Sequence, residues 1–144
     1  MSANENKARV RSLYEQVFNQ KHLAAIDDYF ASTVVDHSLP PGVPGGIEGV
    51  RLTIGMFLGA FPDLHLTVED SIAEGDRVVS RWMLRGTHQG ASLGMPPTGK
   101  HVTMPGISIV RMEDGKAVEN WVIFDQMVML QQLGLAPVPT QAGS

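Results

Sequence analysis

The spacing of the apolar residues changes once along this chain, near Pro62, and that change restricts the fold more than any other feature. Before Pro62, apolar residues recur every three or four positions, as they do on one face of a helix. After it, apolar and polar residues alternate over long stretches, which is typical of half-buried strands. Helices followed by a run of strands predict an α+β domain rather than an alternating α/β one.

The same spacing predicts the order of the elements. Residues 10–18 place five apolar side chains on one helix face, and Ser2 with Glu5 has the spacing of a capping box just upstream. Asp114-Gly115 supplies the positive φ that a hairpin turn requires. We predict helices near residues 10–18, 23–30, 50–61 and 125–133, and strands over residues 33–37, 64–73, 77–87, 101–111 and 118–124.

Length, charge and residue types exclude several classes of protein. The 144 residues suit one domain, which we place at residues 1–135, with residues 136–144 as a C-terminal tail. The absence of cysteine excludes disulfides and thiolate chemistry, and a net charge of -4 with scattered Lys and Arg argues against a nucleic-acid partner. The first seven residues lack an apolar core, and no segment approaches the roughly 18 apolar residues of a membrane span. We therefore predict a cytoplasmic protein with no membrane partner.

Several short segments of the second half occur together in the order found in one known family. The segments are Ala60-Phe61-Pro62-Asp63-Leu64, Glu74-Gly75-Asp76-Arg77, Gly86-Thr87-His88, Pro96-Pro97-Thr98-Gly99-Lys100, Glu113-Asp114-Gly115-Lys116 and Trp121 to Asp125. Because of these segments, and of Asp36-His37 before the first loop, the chain resembles the SnoaL-like polyketide cyclase (ester cyclase) family of the NTF2-like superfamily. The resemblance spans roughly residues 5–135.

The resemblance implies an NTF2-like cone, in which a curved antiparallel sheet and about three helices enclose a pocket. It also implies a homodimer that takes a hydrophobic small molecule and needs no metal or organic cofactor. In the cyclases of the family, an aspartate at the end of the last strand acts as acid and base in an intramolecular aldol closure, and the matching residue is Asp125. The chain departs from the family at Asn120, where many relatives have histidine, and at Ser108, where many have an acidic residue.

Two residues are candidates for acid–base catalysis. Asp125 follows apolar residues, and burial there would favour its protonated form, as acid catalysis requires. The alternative is that Asp125 caps the following helix and accepts backbone N–H bonds, which opposes that role. His37 follows a strand and precedes a loop rich in Pro and Gly, so it could orient a substrate oxygen or move a proton at a pocket rim. Its alternative is to tie down that loop by hydrogen bonds.

Four further residues are predicted to contact the substrate. Trp82 and Trp121 lie in long strands and could form aromatic walls for a flat substrate, or could simply fill the core. If Trp121 faces the pocket, alternation sends Asp125 the same way and Asn120 the other way, unless a bulge intervenes. Asn120 and Ser108 can form hydrogen bonds but cannot do acid–base work near neutral pH.

Three functions fit these residues. The first is a cofactor-independent cyclase, or a related lyase or isomerase, that acts on a polyketide-like carbonyl substrate. The second is a binding protein for a hydrophobic small molecule without catalysis, which the departures at Asn120 and Ser108 favour. The third is an epoxide hydrolase, a reaction that relatives perform with an aspartate pair bridged by an arginine. No histidine pair has the spacing of a local metal site, and no nucleophile elbow or phosphate loop occurs, so we predict neither metal nor nucleotide.

Overall fold

Five strands form one curved sheet with the strand order β1-β5-β4-β3-β2 in the computed structural model, which describes residues 1–138. The strands β2 to β5, which follow one another in sequence, pair antiparallel with their neighbours, whereas β1 pairs parallel with β5. No tight turn joins β1 to β5, so nothing local forces those two strands to run in opposite directions. The strands are β1 (Phe30–Asp36), β2 (His65–Glu74), β3 (Arg77–Thr87), β4 (His101–Glu113) and β5 (Lys116–Phe124).

Within residues 1–138, four α-helices pack around this sheet, and the α+β architecture is the predicted one. Contacts join α1 to β2 and β3, α3 to β1, and α4 to β4. The predicted second helix is shorter than expected, because Phe30 already has the extended backbone of β1. The helices are α1 (Ala3–Leu13), α2 (Ile26–Tyr29), α3 (Gly46–Ala60) and α4 (Gln126–Gln132), with a 3-10 turn at Leu23–Ala25.

The first helix begins at the predicted capping box and changes type halfway. The Ser2 hydroxyl accepts the Glu5 N–H, and the Glu5 carboxylate accepts the Ser2 N–H, both at 3.1 Å. After α1, the chain continues as a π-helix over Tyr14–Asn19, closed by the Gln20 N–H donating to the Glu15 carbonyl at 2.9 Å. Such wide turns occur frequently at functional sites. This one places Tyr14 and Phe18 against the inner face of the sheet.

The two faces of the sheet differ in what covers them. The inner face packs against the helices and carries buried residues such as Val78, Val102 and Val110. The outer face is open, and Ile123 there is 78% exposed. No helix within residues 1–138 has the length and apolar character needed to cross a membrane. Of the predicted tail, residues 139–144 lie outside the described part of the chain.

Candidate functional site

A cavity of about 650 Å³ lies between the inner face of the sheet and the helices. Most of its wall is apolar, from residues such as Phe18, Phe57, Leu66 and Phe124. A cavity of this size with an apolar wall and a few polar groups is typical of small-molecule sites. The polar residues that line it are Tyr14, Asp36, Ser38, Thr53, Trp82, Ser108, Asn120 and Gln126.

A bulge in β5 decides which residues of that strand reach the cavity. Met112 lies opposite Ala117 whereas Arg111 lies opposite Glu119, so Val118 is one extra residue in β5. Because successive side chains point to opposite faces, this extra residue exchanges the two faces for the rest of the strand. Asn120 therefore points inward and Trp121 outward, as expected if a bulge intervenes, and Trp121 does not line the cavity.

The inward position of Asn120 brings it beside a carboxylate at the end of β1. Asp36 lies opposite Asn120 in the parallel pairing of β1 and β5, and the Asn120 Nδ2 donates to Asp36 Oδ2 at 3.1 Å. The Ser38 N–H donates to Asp36 Oδ1 at 2.9 Å, and the Ser38 hydroxyl donates to the same oxygen. These three donors hold a half-buried carboxylate at the cavity wall. Asp36 is the carboxylate that lines the cavity among residues 1–138, and no arginine of that range lines it.

A second polar group lies deeper on the same wall, where Tyr14, Ser108 and Trp82 are hydrogen-bonded together. The Tyr14 hydroxyl bonds to Ser108 Oγ, and Trp82 Nε1 donates to the same oxygen at 3.4 Å. Burial raises the pKa of the Tyr14 phenol, an effect that the hydroxyls of Ser108 and Ser80 oppose in part. Tyr14 therefore remains protonated near neutral pH and can act as a hydrogen-bond donor.

The hydrogen bonds of this group leave one hydroxyl hydrogen free in one of their two possible arrangements. Ser108 Oγ accepts from the Trp82 N–H, and one of the two hydroxyls of Tyr14 and Ser108 donates to the other. When Tyr14 donates to Ser108, the Ser108 hydrogen is free for a further acceptor. When Ser108 donates to Tyr14, the adjacent Ser80 hydroxyl can accept the Tyr14 hydrogen. A carbonyl group of a molecule bound in the cavity would be an acceptor for the Ser108 hydrogen in the first arrangement.

Gly106 is what allows the Trp82 indole to lie in this position. Trp82 lies opposite Gly106 in the pairing of β3 with β4. A Cβ added to Gly106 would lie 2.2 Å from the outer edge of the indole ring, far inside van der Waals contact. Because Gly106 has no side chain, the indole can lie over β4, where its N–H donates to Ser108 Oγ.

Asp125 does not line the cavity. Its side chain is exposed, and its Oδ1 accepts the Val128 N–H at 3.0 Å as the N-cap of α4. The expected burial among apolar neighbours is therefore wrong, because β5 ends at Phe124 and the chain turns into α4 at this residue. The capping alternative describes its position, and the next residue, Gln126, lines the cavity instead.

His37 and Trp121 both lie on the outer side of the sheet. Their rings stack with centroids 5.0 Å apart, and His37 Nε2 lies 2.7 Å from Glu119 Oε2. The hydrogen bond from His37, together with one from Arg111, lowers the pKa of Glu119. Neither ring lines the cavity, so the pocket-rim position expected for His37 is wrong. Of the six residues predicted from the sequence, the structure brings Trp82, Ser108 and Asn120 to the cavity, and it adds Tyr14 and Asp36.

Comparison with known proteins agrees with this architecture. The family described as SnoaL-like polyketide cyclase matches residues 8–133. TsrD from Streptomyces laurentii has a TM-score of 0.84 at 26% identity, over 94% of this chain and 99% of that one. AclR from Streptomyces galilaeus, provisionally assigned as a hydroxylase, has a TM-score of 0.84 at 33% identity, over 97% of this chain and 91% of that one.

A third solved structure is similar as well. IdmH from Streptomyces antibioticus, provisionally assigned as a polyketide cyclase, has a TM-score of 0.77 at 34% identity, over 90% of this chain and 98% of that one. No curated protein matches this chain. These likenesses confirm the NTF2-like fold.

Proposed function

The chain belongs to the SnoaL-like polyketide cyclase family, and from that premise we propose that it is a cofactor-independent cyclase, or a related lyase or isomerase, for a largely apolar carbonyl substrate. One observation carries the proposal. A single apolar cavity holds a carboxylate, Asp36, and a buried hydrogen-bond donor, the Tyr14–Ser108 pair, on the same wall. An intramolecular aldol closure needs a group of each kind.

The two groups would divide the chemistry between them. The Asp36 carboxylate removes a proton from the carbon beside one carbonyl of the substrate, and the resulting enolate carbon attacks a second carbonyl carbon of the same molecule. A carbon–carbon bond forms, and the attacked oxygen becomes an alkoxide. The Ser108 hydrogen, which is free when Tyr14 donates to Ser108, stabilises the oxygen where charge develops, and Asp36 returns its proton to the alkoxide.

The strand register indicates how large the substrate is. Asp36 lies opposite Asn120, Asn120 lies opposite Val110, and Ser108 is two residues further along β4. With adjacent strands about 4.8 Å apart and about 6.7 Å between residues i and i+2, the Asp36 and Ser108 Cα atoms are separated by about 12 Å. Both side chains extend into the cavity, so a substrate of a few rings, or a folded chain of similar length, would reach both groups.

Matched variants of two aspartates test this assignment against the one that the family resemblance implies. We expect Asp36→Asn to lower kcat/KM for cyclisation of polyketide-like diketones by about a hundredfold or more, the usual contribution of a general base. Asp125→Asn should change it little, because its side chain lies outside the cavity and an amide oxygen can still cap α4. The opposite ranking, with both variants folded, would assign the acid–base role to Asp125.

A second candidate function is binding of a hydrophobic small molecule without catalysis. The observation that favours it is that Asn120 and Ser108, which line the cavity, carry no group that titrates near neutral pH. Saturable binding of diketones to the native protein, with no turnover and no effect of Asp36→Asn on affinity, would support this function over the first. Epoxide hydrolysis by an aspartate pair is less well supported, because Asp36 has no second carboxylate or arginine beside it in the described cavity wall.

We also propose that the outer face of the sheet forms a homodimer. Ile107 and Ile123 lie opposite each other on β4 and β5, and these two residues, Val35 and Ile72 are 49–78% exposed. An apolar face of this kind in a protein with a folded core marks an interaction surface, and a two-fold axis would cover both copies equally. Light scattering should give a dimer for the native chain and a monomer for Ile123→Glu. Leu52→Glu, on the exposed side of α3, is the control and should remain dimeric.

A further inference from the structure

The cavity wall contains an acceptor that has no donor within the protein. Asn120 is 8% exposed, and its Nδ2 donates to Asp36. Because a carboxylate oxygen can only accept, the amide nitrogen must face Asp36 and the amide oxygen must face away from it. That oxygen, Asn120 Oδ1, is buried and has no hydrogen-bond partner among the described residues. A buried carbonyl without a donor destabilises the protein, so its retention at the cavity indicates an external donor.

A second buried polar atom on a residue that lines the cavity also has no hydrogen-bond partner among the described residues. Thr53 lies in α3, and its Oγ1 is buried without a partner in the described chain. A threonine hydroxyl within a helix ordinarily bonds to a carbonyl of the preceding turn, and this one does not. Thr53 and Asn120 come from a helix and a strand that enclose the same cavity. Two unpaired polar atoms on residues that line one largely apolar cavity fit a ligand that carries polar groups of its own.

We propose that Asn120 Oδ1 recognises a hydroxyl group of the substrate, in the form of an enol or a phenol, next to Asp36. This inference rests on the proposed function, because the 1,3-dicarbonyl groups of a polyketide-like substrate enolise and so provide an O–H donor. A small rotation of the Asn120 amide would bring Oδ1 to the ligand, and Asp36 would keep its two hydrogen bonds from Ser38. Asn120 is then a specificity-determining residue that selects hydroxylated over deoxygenated or alkylated substrates.

A matched pair of probes tests the selectivity by binding alone. The probes are 6-acetyl-2-naphthol and its methyl ether, 6-methoxy-2-acetonaphthone. They share a flat ring system and a carbonyl, and differ only in that a methyl group replaces the hydroxyl hydrogen in the ether. Isothermal titration calorimetry is run at a pH at which the naphthol is neutral. We expect the naphthol to bind the native protein about tenfold more tightly, since the ether leaves the buried acceptor unpaired. In Asn120→Leu, the two affinities should agree within about twofold.

Val122→Ala is the control, because Val122 lines the same cavity two residues along β5 and has no polar side chain. It should weaken both probes alike and keep the preference for the naphthol. If Asn120→Leu does not fold by circular dichroism, Asn120→Ala replaces it and the same loss of preference is expected, because alanine has no side-chain acceptor. Equal binding of the two probes to the native protein, or a preference that persists without Asn120, would overturn the inference and leave the cyclase proposal standing. Binding of neither probe would overturn both.

Discussion

Replacing Gly106 by alanine should force the Trp82 indole off the sheet. The added Cβ would lie 2.2 Å from one indole carbon and within 2.6 Å of two others. Carbon atoms in van der Waals contact lie about 3.5–4.0 Å apart, so the ring must retreat by more than 1 Å, roughly. Overpacking of this kind costs about 1–3 kcal/mol. For a domain of this size, each kcal/mol lowers Tm by about 3 °C, so we expect a decrease of about 3–9 °C.

A double-mutant cycle shows whether the indole is the cause. Trp82→Leu removes the ring atoms that the new Cβ would contact, so in that background Gly106→Ala should no longer destabilise the protein. It should be neutral or stabilise the fold by about 0.5 kcal/mol, because alanine restricts the unfolded chain more than glycine does. Gly106 does not have a positive φ, so alanine can adopt its backbone. The free energy of unfolding is measured by urea titration with circular dichroism, since Trp82 is one of the two fluorescent tryptophans. An equal loss of stability in both backgrounds would refute this account of the Trp82 site.

Two further predictions concern stability away from the cavity. The pKa of Glu119 is lowered first by the His37 hydrogen bond and then by Arg111. This carboxylate therefore stabilises the fold at pH values above its ordinary pKa of 4.5, and the stabilisation is lost as pH falls through its lower folded pKa. Glu119→Gln should therefore flatten the decline of Tm below pH 4.5, and an unchanged decline would contradict that linkage. Ser2→Ala removes the capping box of α1 and should cost about 1 kcal/mol by urea unfolding, whereas Ser2→Asp should retain most of the stability.

Local spacing was enough to predict the elements, because each depends on neighbours in sequence. The strand Arg77–Thr87 has the predicted bounds, and the hairpin at Asp114-Gly115 lies where its turn residues indicate. The end of the first helix could not be predicted in the same way. Apolar residues three and four positions apart are compatible with either helix type, so the spacing of Val10 to Phe18 does not mark the π-helix that begins at Tyr14.

The candidate site was harder to predict, because it depends on which face of a strand is inward. The run Val34-Val35-Asp36-His37 has apolar residues of both parities, so alternation permits either Asp36 or His37 to reach the cavity. The pairing with β5 decides for Asp36. In β5, the extra residue Val118 reverses the faces without any mark in the local pattern, since its position is set by the partner strand. The extra residue places Asn120 inward and Trp121 outward, and the pairing of β1 with β5 places Asp36 rather than His37 at the cavity.

The departure of this chain from its family at residue 120 acquires a chemical meaning once Asp36 is known to be its partner. A histidine at that position could exchange a proton with the neighbouring carboxylate, so the two residues could share the acid–base work. The Asn120 amide donates a hydrogen bond to Asp36 and can exchange no proton with it. In this protein, the whole proton transfer at that end of the cavity would then fall to Asp36, while the freed amide oxygen becomes available for the substrate. An asparagine at residue 120 is thus compatible with the proposed catalysis by Asp36, and it would change which substrates the site selects.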